Sequence, residues 1–376
     1  MSILEIEAKS LLRRHKRIDS WFVSRYGLNQ YRGCTHNCAY CDGRAECYYV
    51  EGEFGRDISV KTNSADLLRR ELDPACKRKP LPRGFIMLGG GVGDSYQPVE
   101  VKYRLTRGLL GVVRDFDWPV HLLTKSVLVE RDLDLLTAIN HQSRALVSFS
   151  LSTINDDLAV RFEPGVPSLS ERLAALKRLH EAGISGGVFL MPVIPHVSDL
   201  PEQITEAVAA IKAAGADFII FGGMTLKDGR QKQYFLDVLK KYNSDLLKHY
   251  DKLYGHDKWG SARSDYYQEI NIAFINAARD NQIPVRIPQS FFDSLIDEKD
   301  KIVVLLDQMD YLLKMDGKSS PYSYGAWTIS QLKGEVPTDM GELIKLKGVG
   351  PVTARIVQEI QRTGTSRYYQ KLLGCM

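Results

Sequence analysis

Between about Tyr26 and Pro288, short β-rich runs alternate with amphipathic helical stretches, and this alternation constrains the fold more than any other property of the chain. Phe85–Leu88, Val120–Leu123, Ala145–Leu151, Gly187–Val193 and Phe218–Phe221 read as strands, being apolar, β-branched or aromatic, and short. Leu169–Ala182 and Pro201–Ala214 read as helices between them. In the first, Leu173, Leu176, Leu179 and His180 recur near the i, i+3, i+4, i+7 spacing, and Gly183 and Gly215 follow as stop signals. Strands separated by helices pair in parallel, because each crossover must carry the chain back along the sheet. The expected class is therefore α/β, with a parallel sheet closed or partly closed into a barrel. In such barrels chemistry sits at the C-terminal ends of the strands.

Cys34, Cys38 and Cys41 form a C-x3-C-x2-C triad within a run of nine residues, Gly33 to Cys41. Three thiolates on one loop can hold a [4Fe–4S] cluster by three of its irons. Such clusters normally take four cysteines, so the fourth iron is left open to chelate S-adenosylmethionine, whose reductive cleavage supplies a 5′-deoxyadenosyl radical. A Cys3His zinc knot using His36, or a fourth cysteine such as Cys47, is the competing arrangement. His36 lies between two of the cysteines, too close to be a comfortable fourth ligand, and no second C-x-x-C pair follows in ribbon spacing. Disulfides are disfavoured, since the N-terminus does not resemble a signal peptide and a reducing cytoplasm, the expected location, keeps thiols free. No apolar run reaches the length of a membrane span. The formal charge of +4 is only mildly basic, so any polyanion contact must rest on local patches.

Further runs extend the pattern: Ala8-Lys9-Ser10, Leu28 to Cys34, Gly93-Asp94-Ser95-Tyr96-Gln97-Pro98-Val99-Glu100, Leu123-Thr124-Lys125-Ser126, Ser148-Phe149-Ser150 and Phe162-Glu163-Pro164-Gly165. In order and spacing the chain resembles the radical S-adenosylmethionine proteins of the spore photoproduct lyase-like group, often labelled DNA repair photolyases, from about Ala8 to the end of the barrel. The resemblance implies a partial (β/α)6 barrel. It also implies that Gly89, Gly90 and Gly91 receive the amino group of S-adenosylmethionine, that Lys125 and Ser150 hold its carboxylate, and that Tyr40 lies near the adenine. Glycines at that strand end equally suit a tight turn, a lysine there suits a carboxylate or solvent, and Tyr40 equally suits core packing. An external electron donor such as flavodoxin or ferredoxin is expected. The chain departs from the lyase at the hydrogen-donating cysteine of the loop after the second strand: no cysteine lies between Cys76 and Cys375. Cys76, on a basic loop before that strand, and the phenols of Tyr96 or Tyr31 are the candidate substitutes.

Leu343 to Ile356 resembles a helix-hairpin-helix motif. Gly348 and Gly350 permit a tight hairpin, Pro351 fits the first turn of the next helix, and Lys345, Lys347 and Arg355 add positive charge. Such a unit grips sugar–phosphate without reading sequence. The expected organisation is a barrel over 1–290, a helix and polar linker over 291–321, and a small all-α domain over 322–376. The leading expectation is a radical enzyme acting on nucleic acid, in lesion repair or base modification. A radical enzyme for a small molecule or peptide, its hairpin docking a protein partner, is the alternative, and a non-enzymatic metal-bound nucleic-acid binder is the third.

Overall fold

Seven strands form one curled sheet: β1 (Arg13–Asp19), β2 (Ser24–Leu28), β3 (Phe85–Leu88), β4 (Val120–Thr124), β5 (Ala145–Leu151), β6 (Gly187–Val193) and β7 (Phe218–Gly223). The structure is a computed structural model that describes residues 2–48, 50, 52–77, 79–90, 92–255 and 258–374. Spatial order follows the chain, from β1 at one edge to β7 at the other. β2 to β7 run parallel, while β1 lies antiparallel to β2 with Arg13 opposite Gly27 and Asp19 opposite Ser24. The expected α/β class and six-unit partial barrel are both present. A second, three-stranded sheet joins Ile3–Ile6, Ile58–Lys61 and Tyr31–Arg32 beside the cysteine loop.

Helices cover the outer face: α1 (Ser64–Leu72), α2 (Leu105–Asp115), α3 (Leu133–Gln142), α4 (Leu169–Glu181), α5 (Pro201–Ala213), α6 (Arg230–Tyr242) and α7 (Ser264–Asp280). Ile86, Leu122, Val147, Phe149 and Val188 face this layer and pack on Leu109, Leu136, Leu176 and Val208. All seven residues of β5 are buried, as expected of a strand covered on both faces. α4 starts at a capping box in which Ser168 and Glu171 satisfy each other's backbone N–H groups. Its buried stripe is Leu169, Arg172, Ala175, Leu176 and Leu179, with His180 exposed and Leu173 only half-buried. The sequence pattern missed this phase because an arginine occupies a core position.

The open side of the half-barrel is bridged by α8 (Glu298–Met315). Its Asp307 pairs with Arg17 of β1 at 2.5 Å, its Asp300 pairs with Arg25 of β2, and the Tyr311 hydroxyl donates to the Phe221 carbonyl of β7 at 3.4 Å. Four helices follow: α9 (Tyr322–Ser330), α10 (Met340–Lys345), α11 (Pro351–Thr363) and α12 (Arg367–Gly374). The Asp316–Pro321 stretch before α9 is largely exposed, in keeping with its polar composition. Ala326, Leu343, Val357 and Tyr369 share one apolar cluster with Leu305 and Leu306 of α8 and with Phe85, Leu146 and Phe218 at the N-terminal ends of the strands. The boundary expected at 321 therefore crosses a core that the C-terminal helices share with the barrel floor. Among the described residues no helix is long and apolar enough to cross a membrane.

Candidate active site

At the C-terminal end of the sheet a cavity of about 150 Å³ is bordered by Cys34, Cys38 and Cys41 together with Gly89, Lys125 and Ser150. The cysteines come from the loop after β2, Gly89 from the end of β3, Lys125 from the end of β4 and Ser150 from β5, so four strands converge where a parallel barrel places its chemistry. A larger cavity, about 850 Å³, lies between Phe54 and Tyr234 and is lined by none of the three cysteines.

The cysteine loop is held from several sides. The Gln97 side-chain oxygen accepts from the Thr35 N–H and its amide donates to the Gly33 carbonyl, both at 3.0 Å. The Ala39 N–H donates to the Phe162 carbonyl at 2.8 Å, and the Gly165 N–H to the His36 carbonyl at 3.1 Å. Arg44 donates to the Cys38 carbonyl at 3.3 Å while its guanidinium lies 3.5 Å from the centre of the Tyr234 ring. His36 is an anchor: its Nδ1 meets the Gly165 carbonyl at 2.8 Å, and its Nε2 sits 3.3 Å from Asp94 without the alignment of a hydrogen bond. Asp94 also accepts from the Thr124 hydroxyl and the Lys125 N–H, each at 2.7 Å. Burial opposes ionisation of Asp94, but His36 and these bonds hold its carboxyl below the ordinary value. Among the described residues no three His, Cys, Asp or Glu side chains converge on a single ion. The thiols instead border one cavity, as ligands spread over several irons would. Burial pushes Cys34 up to about 12 and raises Cys38 and Cys41 as well; thiolates there require a cationic partner such as iron.

Lys125 Nζ donates to Ser150 Oγ at 2.7 Å and to Glu163 Oε1 at 3.1 Å. Glu163 is fully buried and accepts in addition from Arg172 at 2.8 Å, Ser152 at 2.9 Å and the Tyr40 hydroxyl. Burial alone would raise its pKa, yet Lys125 and Arg172 hold it well below the usual carboxylate range. Sequence reasoning missed Glu163, Arg172, His36 and Asp94 as site residues. The first two stand nine residues apart on a loop and a helix, and only packing shows that they meet. Asp94 and Glu163 do belong to the runs that carry the family resemblance.

Gly89 and Gly90 line the cavities here, and Gly91 lies outside the described residues. Gly89 has φ +86°, and a Cβ would come within 2.0 Å of the Leu123 carbonyl oxygen, so the turn itself requires glycine. Tyr40 is buried, its phenol turned to Glu163 and its carbonyl accepting from Gln231 at 3.0 Å. None of the three expected hydrogen donors lines the cavity. Cys76 is exposed on the loop that precedes β3, at the opposite end of the sheet, 3.8 Å from Asp73. Tyr96 is fully buried and turned away, its hydroxyl donating to Asp132 at 3.1 Å. Tyr31 is likewise committed, to Glu100. Lys345, Lys347, Gly348, Gly350 and Arg355 are exposed around the turn between α10 and α11, with Lys345 paired to Glu342 at 2.6 Å.

Residues 28–208 match the family model described as the Radical SAM superfamily. An uncharacterized protein of Mycobacterium tuberculosis is 33% identical over 234 residues, 61% of this chain and 67% of that protein. An uncharacterized protein of Methanocaldococcus jannaschii is 33% identical over 215 residues, 57% of this chain and 76% of that one. Among solved structures, spore photoproduct lyase complexed with dinucleoside spore photoproduct superposes with a TM-score of 0.56 at 16% identity, over 77% of this chain and 79% of that one. At that identity the likeness is one of fold.

Proposed function

The chain belongs to the radical SAM superfamily of enzymes, and from that premise we propose that it acts on nucleic acid, repairing a lesion or modifying a base. The superfamily's [4Fe–4S] cluster and S-adenosylmethionine, when bound, supply a 5′-deoxyadenosyl radical able to abstract hydrogen from substrate. Cys34, Cys38 and Cys41 would hold the cluster, and the chemistry of the donor set fits: three thiols on one cavity, with Gly89, Lys125 and Ser150 rather than a fourth thiol completing its wall.

Lys125 is the residue best placed to bind the methionine carboxylate. An ammonium has three donors; two are engaged by Ser150 and Glu163, and the third remains for an incoming carboxylate. Glu163 keeps its charge balanced by Arg172 and so orients Lys125 without needing solvent. The clamps at Gln97, His36 and Arg44 hold the cysteine loop over the strand ends. The observation that carries the nucleic-acid assignment is the exposed cationic turn: Lys345, Lys347 and Arg355 surround Gly348 and Gly350 on a unit packed to the barrel, a sequence-independent grip for phosphates.

The second reading, a small-molecule or peptide substrate with a protein docked on the C-terminal helices, draws on Ile344 and Val352, which are 42% and 61% exposed beside the same turn. Turnover separates the two. Formation of 5′-deoxyadenosine by reconstituted enzyme should be stimulated by ultraviolet-damaged DNA, intact DNA or transfer RNA. Stimulation by peptides alone would move the second reading ahead.

A further inference from the structure

Resting on the nucleic-acid reading above, we infer that the edge strand β1 and the aromatic pair Tyr324–Trp327 form one track for a single-stranded nucleic acid, running from the C-terminal helices to the barrel mouth. β1 carries Arg13, Arg14, His15, Lys16 and Arg17 in succession. Arg17 is neutralised by Asp307, whereas exposed Arg13, Arg14 and Lys16 make no ion pair among the described residues. Charges on an edge strand also guard against sheet-to-sheet pairing, but that role does not account for where the two ends of this strand lie.

Arg13 and His15 line a cavity of about 240 Å³ that runs along β1 from Asp19 at its lower end to Asn29, Lys61 and Gly90 at its upper end. Gly90 adjoins Gly89 of the cavity that holds the cysteines and Lys125. Arg13 therefore brings a positive charge beside the strand end that carries Gly89, on the cavity-facing side of β1. At its lower end Ile18 enters the same apolar cluster as Tyr322, Ala326 and Ile329 of α9. The outward face of α9 presents Tyr324 and Trp327, 43% and 49% exposed, with ring planes within 4° and centroids 5.9 Å apart.

This pair is fixed in place. Tyr324 lies flat on Gly348, where a Cβ would come within 2.2 Å of the ring and where φ is +79°. Thr328 Oγ1 donates to the Lys347 carbonyl at 2.7 Å, tying α9 to the hairpin, and Lys347 Nζ sits 5.7 Å from the Tyr324 centroid. Rigid, parallel, half-exposed rings beside a cation make a surface for stacking unpaired bases. A duplex buries its base faces and gains nothing from such rings. Charge complementarity along β1 selects a polyanion over an apolar protein partner, and the cationic mouth leads its backbone to the cavity.

The test is fluorescence anisotropy of reconstituted full-length enzyme with labelled single-stranded and duplex oligonucleotides of one sequence, across a salt series. Wild type should bind the single strand more tightly than the duplex. Trp327→Ala should weaken single-strand binding at least about tenfold, within the range for a lost stack, while Trp327→Phe retains most of it. The triple change Arg13→Glu, Arg14→Glu, Lys16→Glu should flatten the slope of log K against log salt by about 2, at about 0.7 per phosphate. Iron content and circular dichroism confirm that each variant is folded. If wild type binds no oligonucleotide, the nucleic-acid reading itself falls, and this inference with it. If wild type binds but prefers duplex, or the variants bind single strand unchanged, the track alone is overturned.

Discussion

Replacing Glu163 with Gln should destabilise the protein far more than an ordinary isosteric change. The carboxylate is completely buried between Arg172, itself fully buried, and Lys125, 14% exposed. An amide of the same shape can still accept from Ser152 and Tyr40, so volume and most hydrogen bonds survive. What is lost is the negative charge that balances a guanidinium with no access to water. Removing one partner of a buried pair costs about 3–5 kcal/mol, against a total of about 5–15 kcal/mol for a typical fold. The assay is urea unfolding of wild type, Glu163→Gln, Arg172→Met and the double variant. Arg172→Met should cost less than Glu163→Gln, because Lys125, Ser152 and Tyr40 still serve the carboxylate. The double variant should be less destabilised than the sum of the singles, since it removes the stranded charge. A Glu163→Gln cost within 0.5 kcal/mol of zero, or strict additivity, would refute the idea that this carboxylate is the electrostatic keystone of the site.

Three further expectations follow from the geometry. Cys47→Ala should keep the iron content and brown absorbance of wild type, because Cys47 is exposed on a 3-10 turn and does not line the cavity, whereas loss of any triad cysteine should abolish them; loss of iron in Cys47→Ala would defeat the ligand assignment. Lys125→Ala should retain iron but bind S-adenosylmethionine about ten- to a hundredfold more weakly, the cost of a charge-assisted contact of about 1.5–3 kcal/mol, and unchanged affinity in equilibrium dialysis would remove Lys125 from the cofactor site. His121, buried between the Phe22 carbonyl and Ser148, has its pKa lowered by burial from 6.5 to about 4. The unfolded chain therefore takes up this proton first as pH falls, and stability should drop by about 3 kcal/mol between pH 6.5 and 4 from this group alone; a His121→Gln variant with the same pH slope would contradict the assignment.

The fold was legible where strands are buried on both faces. Ala145–Leu151 and Gly187–Val193 show as apolar runs with the bounds later observed, because a covered parallel strand has no polar face to dilute the signal. β1 was not legible as a strand: Arg13-Arg14-His15-Lys16-Arg17 reads as a charge run, and only its pairing with β2 makes it a sheet edge. The cysteine loop, Lys125 and Ser150 were readable because their order along the chain maps onto successive strand ends. Glu163 and Arg172 were not, since a buried ion pair between a loop and a helix leaves no periodic trace. Tyr96 shows the converse failure. Its neighbour Asp94 faces the cavity, but the intervening turn points the phenol to Asp132 instead, and turn geometry is not encoded in residue type.

The most direct measurement is anaerobic incubation of the reconstituted protein with dithionite and S-adenosylmethionine, followed by quantification of 5′-deoxyadenosine for wild type and Cys38→Ala. If the cavity of Cys34, Cys38, Cys41 and Lys125 is the reaction site, wild type will form 5′-deoxyadenosine and Cys38→Ala, lacking iron, will form none. No product from iron-loaded wild type, or equal product from both proteins, would contradict it.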